Sequence, residues 1–201
     1  MGKNRTIVLG AVLVATLLTG CGGQDAVLEQ HAEAEATSSP ETTEVPAFHF
    51  ESGTLELGDF DPQTLGDDLF DPCTEISEEE FAAAGITGVV PLEPIETVGD
   101  LVSQSCKTDE YEPGIARTVS ATKTNYWVTL EVHGNQVDLR ESAVPKLFTH
   151  QNVEVDPNTC YAQVDTRRGG IAIAVSARGM KAKVTDPCAL AVEQLEHLFE
   201  F

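Results

Sequence analysis

The residues with most capacity for chemistry in this chain of 201 residues are its five cysteines. Thiols ligate metals, act as nucleophiles or pair as disulfides, and their spacing separates these uses. Cys73, Cys106, Cys160 and Cys188 lie 33, 54 and 28 residues apart. Zinc sites set paired thiolates about two to four residues apart, so no metal centre is expected here. An even set of well-separated cysteines instead implies two disulfides, formed where such bridges persist outside the cytosol. Three pairings are open. Asp71-Pro72-Cys73 and Asp186-Pro187-Cys188 repeat one triplet, in which Asp caps a helix and Pro takes its first position. Both cysteines then sit in first helical turns. Cys106 and Cys160 precede or open alternating segments that read as strands. If each bridge joins a helix start to a strand, Cys73–Cys188 with Cys106–Cys160 drops out. Of the two pairings left, the sequence-local one, Cys73–Cys106 with Cys160–Cys188, is the simpler.

Other reactive groups do not gather into a motif. The sequence holds no Gly-x-Ser-x-Gly elbow, no phosphate-cradling glycine loop and no His-Glu-x-x-His. His31, His49, His133, His150 and His197 are scattered and read as surface or packed side chains. Asp59, Asp61, Asp67, Asp68 and Asp71 crowd around Gly66, but no Glu closes an EF-hand loop. Arg167-Arg168-Gly169-Gly170 reads as a hairpin turn. Tyr126 and Trp127 read as one core and one outer-face residue of a strand. No catalytic residue, metal or cofactor is assigned, and the expectation is a protein that is not an enzyme.

The fifth cysteine, Cys21, has a different setting. Lys3 and Arg5 precede an apolar stretch from Ile7 to Leu18, which is too short to span a bilayer, since spanning takes roughly 20 residues. A short apolar core behind a basic start is the layout of a secretory signal peptide. Leu18-Thr19-Gly20-Cys21 resembles a bacterial lipobox. The resemblance implies cleavage before Cys21 and a thioether-linked diacylglyceryl group on it. One acyl chain holds a protein marginally, whereas two give stable anchoring. Residues 1–20 are thus expected to be a signal peptide, and Cys21 the lipidated anchor.

Charge divides the chain into two unequal parts. The formal net charge is -21, yet from Thr6 to Cys106 there is no Lys or Arg against 20 Asp and Glu. Residues 107–201 carry 10 basic and 13 acidic residues. Nucleic acid is disfavoured as a partner, because binding it requires clustered Lys and Arg. Anionic headgroups should repel the first half too, which leaves the lipid as the membrane contact. Residues 21–59 are expected to be an acidic disordered tether, since Gly22 to Pro46 is mostly Ala, Glu, Thr, Ser and Gln. Within it Phe48, Phe50, Leu55 and Leu57 alternate about Ser52-Gly53, as in two short strands that could pack as an arm. The folded domain is placed at residues 60–201.

The elements that position the cysteines read as α+β. Ser77-Glu78-Glu79-Glu80 is a capping box, Ile76 and Phe81 form a hydrophobic staple, and Gly85 ends the helix. Ile115 to Ala121 and Asn125 to His133 alternate as half-buried strands. Residues 138–149 read as a helix that Pro145 must start or kink. Cys160, Ala162, Val164 and Ile171, Ile173, Val175 form a strand pair across Asp165-Thr166-Arg167-Arg168-Gly169-Gly170. A helix closes the chain from Pro187 to about Phe199. The expected fold is an antiparallel β-sheet with helices packed mainly on one face, held by two disulfides.

Phe70-Asp71-Pro72-Cys73-Thr74 before a capped helix, and Asp186-Pro187-Cys188-Ala189-Leu190-Ala191 opening the last helix, resemble the actinobacterial lipoproteins grouped as domain of unknown function 3558. The likeness runs from about residue 70 to the end. Members commonly carry a tryptophan two residues after the second cysteine, where this chain has Cys106-Lys107-Thr108. The resemblance implies a place in the cell envelope, on the outer face of the membrane, and no particular activity. The expected role is a non-enzymatic binding domain for another envelope protein or a small ligand. The alternative is a small-ligand sensor or carrier with a cleft between sheet and helices.

Overall fold

Arg167 and Arg168 form a two-residue turn that folds the chain back on itself. The computed structural model describes residues 44–97, 100–154, 156–178 and 186–200; the expected signal peptide, Cys21 and His31 lie outside them. On either side of that turn, β9 (Asp156–Thr166) and β10 (Gly169–Ala177) pair antiparallel, with Val164 opposite Ile171 and Ala162 opposite Ile173. Gly169 adopts φ 99°, and a Cβ there would press on Leu69 and the Thr122 carbonyl, so the turn needs glycine. β6 (Ile115–Thr122) pairs with the other side of β10, and β5 (Asp100–Lys107) with β6. On the far side β8 (Phe148–Asn152) follows β9, and β7 (Val137–Leu139) closes the edge. Two short strands, β3 (Val90–Pro91) and β4 (Ile95–Thr97), pair with opposite ends of β5. Among the described residues this is one eight-stranded antiparallel sheet.

Alternation sorts the two faces. Ile115, Val119 and Ala121 of β6, Ile171, Ile173 and Val175 of β10, and Ala162 and Val164 of β9 all point into the core. The final helix, α4 (Pro187–Phe199), covers them with Leu190, Ala191, Leu195 and Leu198, all buried. Two short helices, α1 (Pro72–Glu75) and α2 (Glu78–Ala83), sit before the sheet begins. The capping box of α2 is formed: Glu80 N–H donates to Ser77 Oγ at 3.3 Å and Ser77 N–H to Glu80 Oε2 at 2.8 Å. Ile76 and Phe81 are buried on either side of it. Asp71 and Asp186 each accept the backbone N–H of the cysteine two residues on, at 3.0 Å. The bridges are Cys73–Cys106 and Cys160–Cys188, with Cα atoms 5.7 and 5.0 Å apart. Each ties a helix start to a strand, in the sequence-local arrangement.

Three expectations need correction. The tether does not run to residue 59. The two short strands read about Ser52-Gly53 are present: β1 (Ala47–Phe50) and β2 (Gly53–Glu56) form a hairpin, and its Phe48, Phe50 and Leu55, with Leu57 just beyond it, join the core. Phe48 is fully buried, 5.6 Å from the ring of Phe50 and 5.0 Å edge-on to Phe199. A hairpin this short is marginal alone; docking against α4 and the β9–β10 turn stabilises it, and no local composition reveals that.

Residues 126–133 are a helix, α3 (Tyr126–His133), rather than a strand. Its β-branched and aromatic residues favour strand, but tertiary contacts override that weak preference. Asn125 Oδ1 accepts from Val128 N–H at 3.0 Å, Asp165 Oδ2 accepts from Tyr126 N–H at 2.9 Å, and Gly134 at φ 55° ends the helix. Residues 138–149, expected as a helix, are the end of β7, a loop and the start of β8. Pro145 occupies the second position of a turn closed by Leu147 N–H to the Val144 carbonyl at 3.3 Å.

Candidate functional site

α3 is unusual in what it leaves uncovered. Of its eight residues only Thr129 is fully buried. Trp127 is 67% exposed and Val132 69%, with Val128 also on the outer surface. A single charged residue, Glu131, interrupts this apolar face. Its neighbour β7 adds Leu139, 64% exposed. Exposed apolar residues that converge in this way mark interaction sites more often than scattered ones do.

Between α3, the β7–β8 loop and the chain leaving β2 lies a cleft of about 440 Å³. That volume falls within the range of small-molecule sites. The cleft is walled by Trp127 and Tyr126 on one side, whose ring centroids are 5.1 Å apart. Leu57, Leu139, Pro46 and Pro145 also line it. Two groups add polarity. At the rim, Lys146 Nζ lies 3.2 Å from Asp59 Oδ1, and both side chains are largely in solvent. Such a pair contributes little to stability, ~0–1 kcal/mol. Lys146 is held there by φ 62°, the left-handed conformation that a turn of this kind requires at its third position.

The other polar group is Asp165, at the end of β9 and partly buried. Besides the Tyr126 N–H, it accepts a hydrogen bond from Gln163 Nε2 at 3.4 Å. Gln163 also donates to the Thr124 carbonyl at 2.7 Å, which fixes its orientation. Burial pushes the Asp165 carboxyl above its ordinary value, against the lowering pull of these hydrogen bonds. The backbone here is tightly packed: Gly58 N–H donates to the Asp165 carbonyl at 3.0 Å, and a Cβ on Gly58 would collide with the Arg167 guanidinium.

The outer face of the sheet makes a second concavity, of about 400 Å³. Here β10 presents only Ala172, Ala174 and Ser176, flanked by hydroxyls such as Thr118 and Ser120. These hydroxyls largely bond one another, as in Ser105 Oγ to Ser120 Oγ at 3.1 Å. At one end His133, His150 and Tyr161 stack, with successive centroids 5.2 and 4.8 Å apart. Burial, with the charge of His133 adding to it, lowers the His150 pKa to about 4.

The residues singled out in the sequence disperse. Asp61 accepts from Gln63 N–H, Asp68 pairs with Arg168 at 3.3 Å, Asp71 caps α1 and Asp59 meets Lys146. Arg168 also grips Glu75 with two nitrogens, at 2.6 and 3.0 Å. His49 is exposed on β1, and His197 lies in the last turn of α4. Among the described residues no group of three or more His, Cys, Asp or Glu is placed to hold a metal ion. Trp127 and Tyr126 are brought together at the cleft, on a helix rather than on opposite faces of a strand. Sequence reasoning did not find Asp165, Leu57 or Leu139. The first falls in the stretch read as the connection between two strands, and the other two come from segments about 80 residues apart. Trp127, the only tryptophan in the chain, is the one signal that could have pointed here.

Comparison with known proteins adds a family and nothing finer. No curated protein matches the chain significantly. No solved structure does so either. The family model described as a protein of unknown function (DUF3558) matches residues 16–200, and the chain therefore belongs to that family.

Proposed function

We propose that this protein is an exported lipoprotein of the actinobacterial cell envelope, anchored through Cys21 to the outer face of the cell membrane. Its folded domain acts there as a non-enzymatic binding module, and the cleft beside Trp127 is where it binds. The observation that carries the binding role is the large exposure of Trp127 over an apolar cleft, which costs solvation free energy and contributes no core. Cleft chemistry supports binding over catalysis: the walls are apolar, the lysine is ion-paired, and the carboxylate is engaged as a helix cap. The anchor rests on Leu18-Thr19-Gly20-Cys21 behind a basic start and a short apolar core.

Two measurements test the two parts. N-phenyl-1-naphthylamine, an apolar fluorophore, should accept excitation energy from Trp127 and saturate near one per protein. Leu139→Glu should abolish that transfer without changing the fold. Transfer that persisted unchanged in Leu139→Glu would place binding elsewhere. For the anchor, the processed protein should enter the detergent phase on Triton X-114 partitioning, and Cys21→Ala should not. An alanine variant that was processed and still partitioned into detergent would refute lipidation at Cys21.

A further inference from the structure

We propose that the cleft selects a small organic cation, an ammonium carrying apolar substituents, which sits against the Trp127 and Tyr126 rings with its charge facing Asp165. This deepens the reading of the cleft as a binding site and depends on it. The basis is charge complementarity. Asp165 brings a carboxylate into an otherwise apolar recess, and both hydrogen bonds it accepts come from neutral groups, Tyr126 N–H and the Gln163 amide. Two ionised-oxygen acceptor positions remain after those bonds, since a carboxylate offers about four. The cation nearest in the cleft, Lys146, is engaged at the rim by Asp59, so those two charges largely cancel.

A ligand that fills the recess excludes water from Asp165. A neutral apolar ligand would leave the carboxylate desolvated, and an anion would repel it; a cation compensates it. The walls suit the same choice. A cation over a tryptophan face is attracted by the ring quadrupole within about 6 Å, and quaternary ammonium groups are the ligands most often held by such aromatic walls. Burial raises the pKa of Asp165, and the hydrogen bonds from Tyr126 and Gln163 and the charge of Lys146 only partly oppose it, so a cation placed against the carboxylate would compensate it further. At longer range, residues 44–106, acidic and without Lys or Arg, lower the energy of an approaching cation.

Three probes of one shape separate the possibilities: choline, 3,3-dimethylbutan-1-ol, which is nearly isosteric and neutral, and 3,3-dimethylbutanoate, which is anionic. Each is titrated into the purified full-length protein in a non-ionic maltoside, with Trp127 emission as readout. Choline should give a saturable change, the alcohol should bind at least about 10-fold more weakly, and the anion should not bind. Asp165→Asn keeps an oxygen for the Tyr126 N–H; it should cost choline about 10-fold and leave the alcohol as it was. Lys146→Ala should tighten choline, since it frees Asp59. Equal binding of choline and the alcohol, or choline binding unchanged by Asp165→Asn, overturns the cation while leaving the cleft as a binding site. So does a failure of all three probes while N-phenyl-1-naphthylamine still binds at Trp127. If a lysine- and arginine-bearing peptide saturates the cleft and choline does not, a protein partner replaces the small cation. If the apolar fluorophore fails as well, the cleft reading itself falls.

Discussion

Replacing Phe48 with alanine tests whether the hairpin before residue 60 belongs to the domain. Phe48 is fully buried, and its ring meets Phe50 at 5.6 Å and Phe199 of α4 at 5.0 Å. A buried phenylalanine removes ~200 Å² from water, which at ~25 cal/mol/Å² amounts to about 5 kcal/mol. Alanine keeps part of that area and loses the two ring contacts, so the net loss should be about 3–5 kcal/mol. For a domain of this size, each kcal/mol lowers Tm by roughly 2–4 °C. Phe48→Ala should therefore melt about 6–20 °C below the parent, followed by circular dichroism with both disulfides intact. His49→Ala, on the exposed side of the same strand, should change stability by less than about 0.5 kcal/mol. If the two variants lost equally little, below about 1 kcal/mol, residues 47–57 would be an arm resting on the surface, and the core as described would be wrong.

Other consequences concern the bridges, the cap and two titrating groups. Replacing Cys160 and Cys188 together by alanine should cost about 2–4 kcal/mol, the scale expected for a loop of 28 residues, and non-reducing peptide mapping of the parent should recover Cys73 with Cys106 and Cys160 with Cys188. Ser77→Ala removes the α2 cap and should cost about 1 kcal/mol by chemical denaturation. His150 holds its pKa near 4 through burial, whereas an unfolded histidine takes its proton near 6.5. Its contribution is complete above about pH 6.5 and lost as pH falls toward 4, at most about 3 kcal/mol. His150→Gln should flatten that part of the pH profile, and NMR titration of the imidazole should place its midpoint near 4. Asp165 works in the opposite sense, because burial raises its pKa: stability falls as pH rises from the ordinary aspartate value to the raised one. Asp165→Asn should remove that fall and be at least as stable as the parent at pH 7; a variant less stable at pH 7 than at pH 3, relative to the parent, would contradict it.

What could be read from the sequence was whatever local chemistry decides. The Asp-Pro-Cys helix starts, the Ser77 capping box and the alternation of β6, β9 and β10 each carry their own signal and appear where expected, while the connection between β9 and β10 is shorter than read, Arg167 and Arg168 alone. The same signals reduced the disulfide pairings to two, and the simpler, sequence-local one is the one present. The errors fall where long-range contacts decide. Tyr126 to His133 has strand composition, yet Asp165, 39 residues on, and Asn125 satisfy its first N–H groups and make a helix. Phe48 and Leu55 are legible as strand residues, but their burial in the core comes from docking on α4 and the β9–β10 turn, which the acidic stretch before them does not show. The candidate site inherits that difficulty. Trp127 depends on α3 being helical, and Leu57, Leu139 and Asp165 meet only after the hairpin and the β7–β8 loop have docked.

The central claim, that the cleft beside Trp127 binds a ligand, is tested most directly by amide NMR of the ¹⁵N-labelled protein during titration with N-phenyl-1-naphthylamine. The indole N–H of Trp127 and the backbone amides of Gly58, Leu139 and Asp165 should shift together and saturate at one stoichiometry. Shifts centred instead on Ser105, Ser120 and Ser176 of the outer sheet face, or no saturable shift at all, would contradict it.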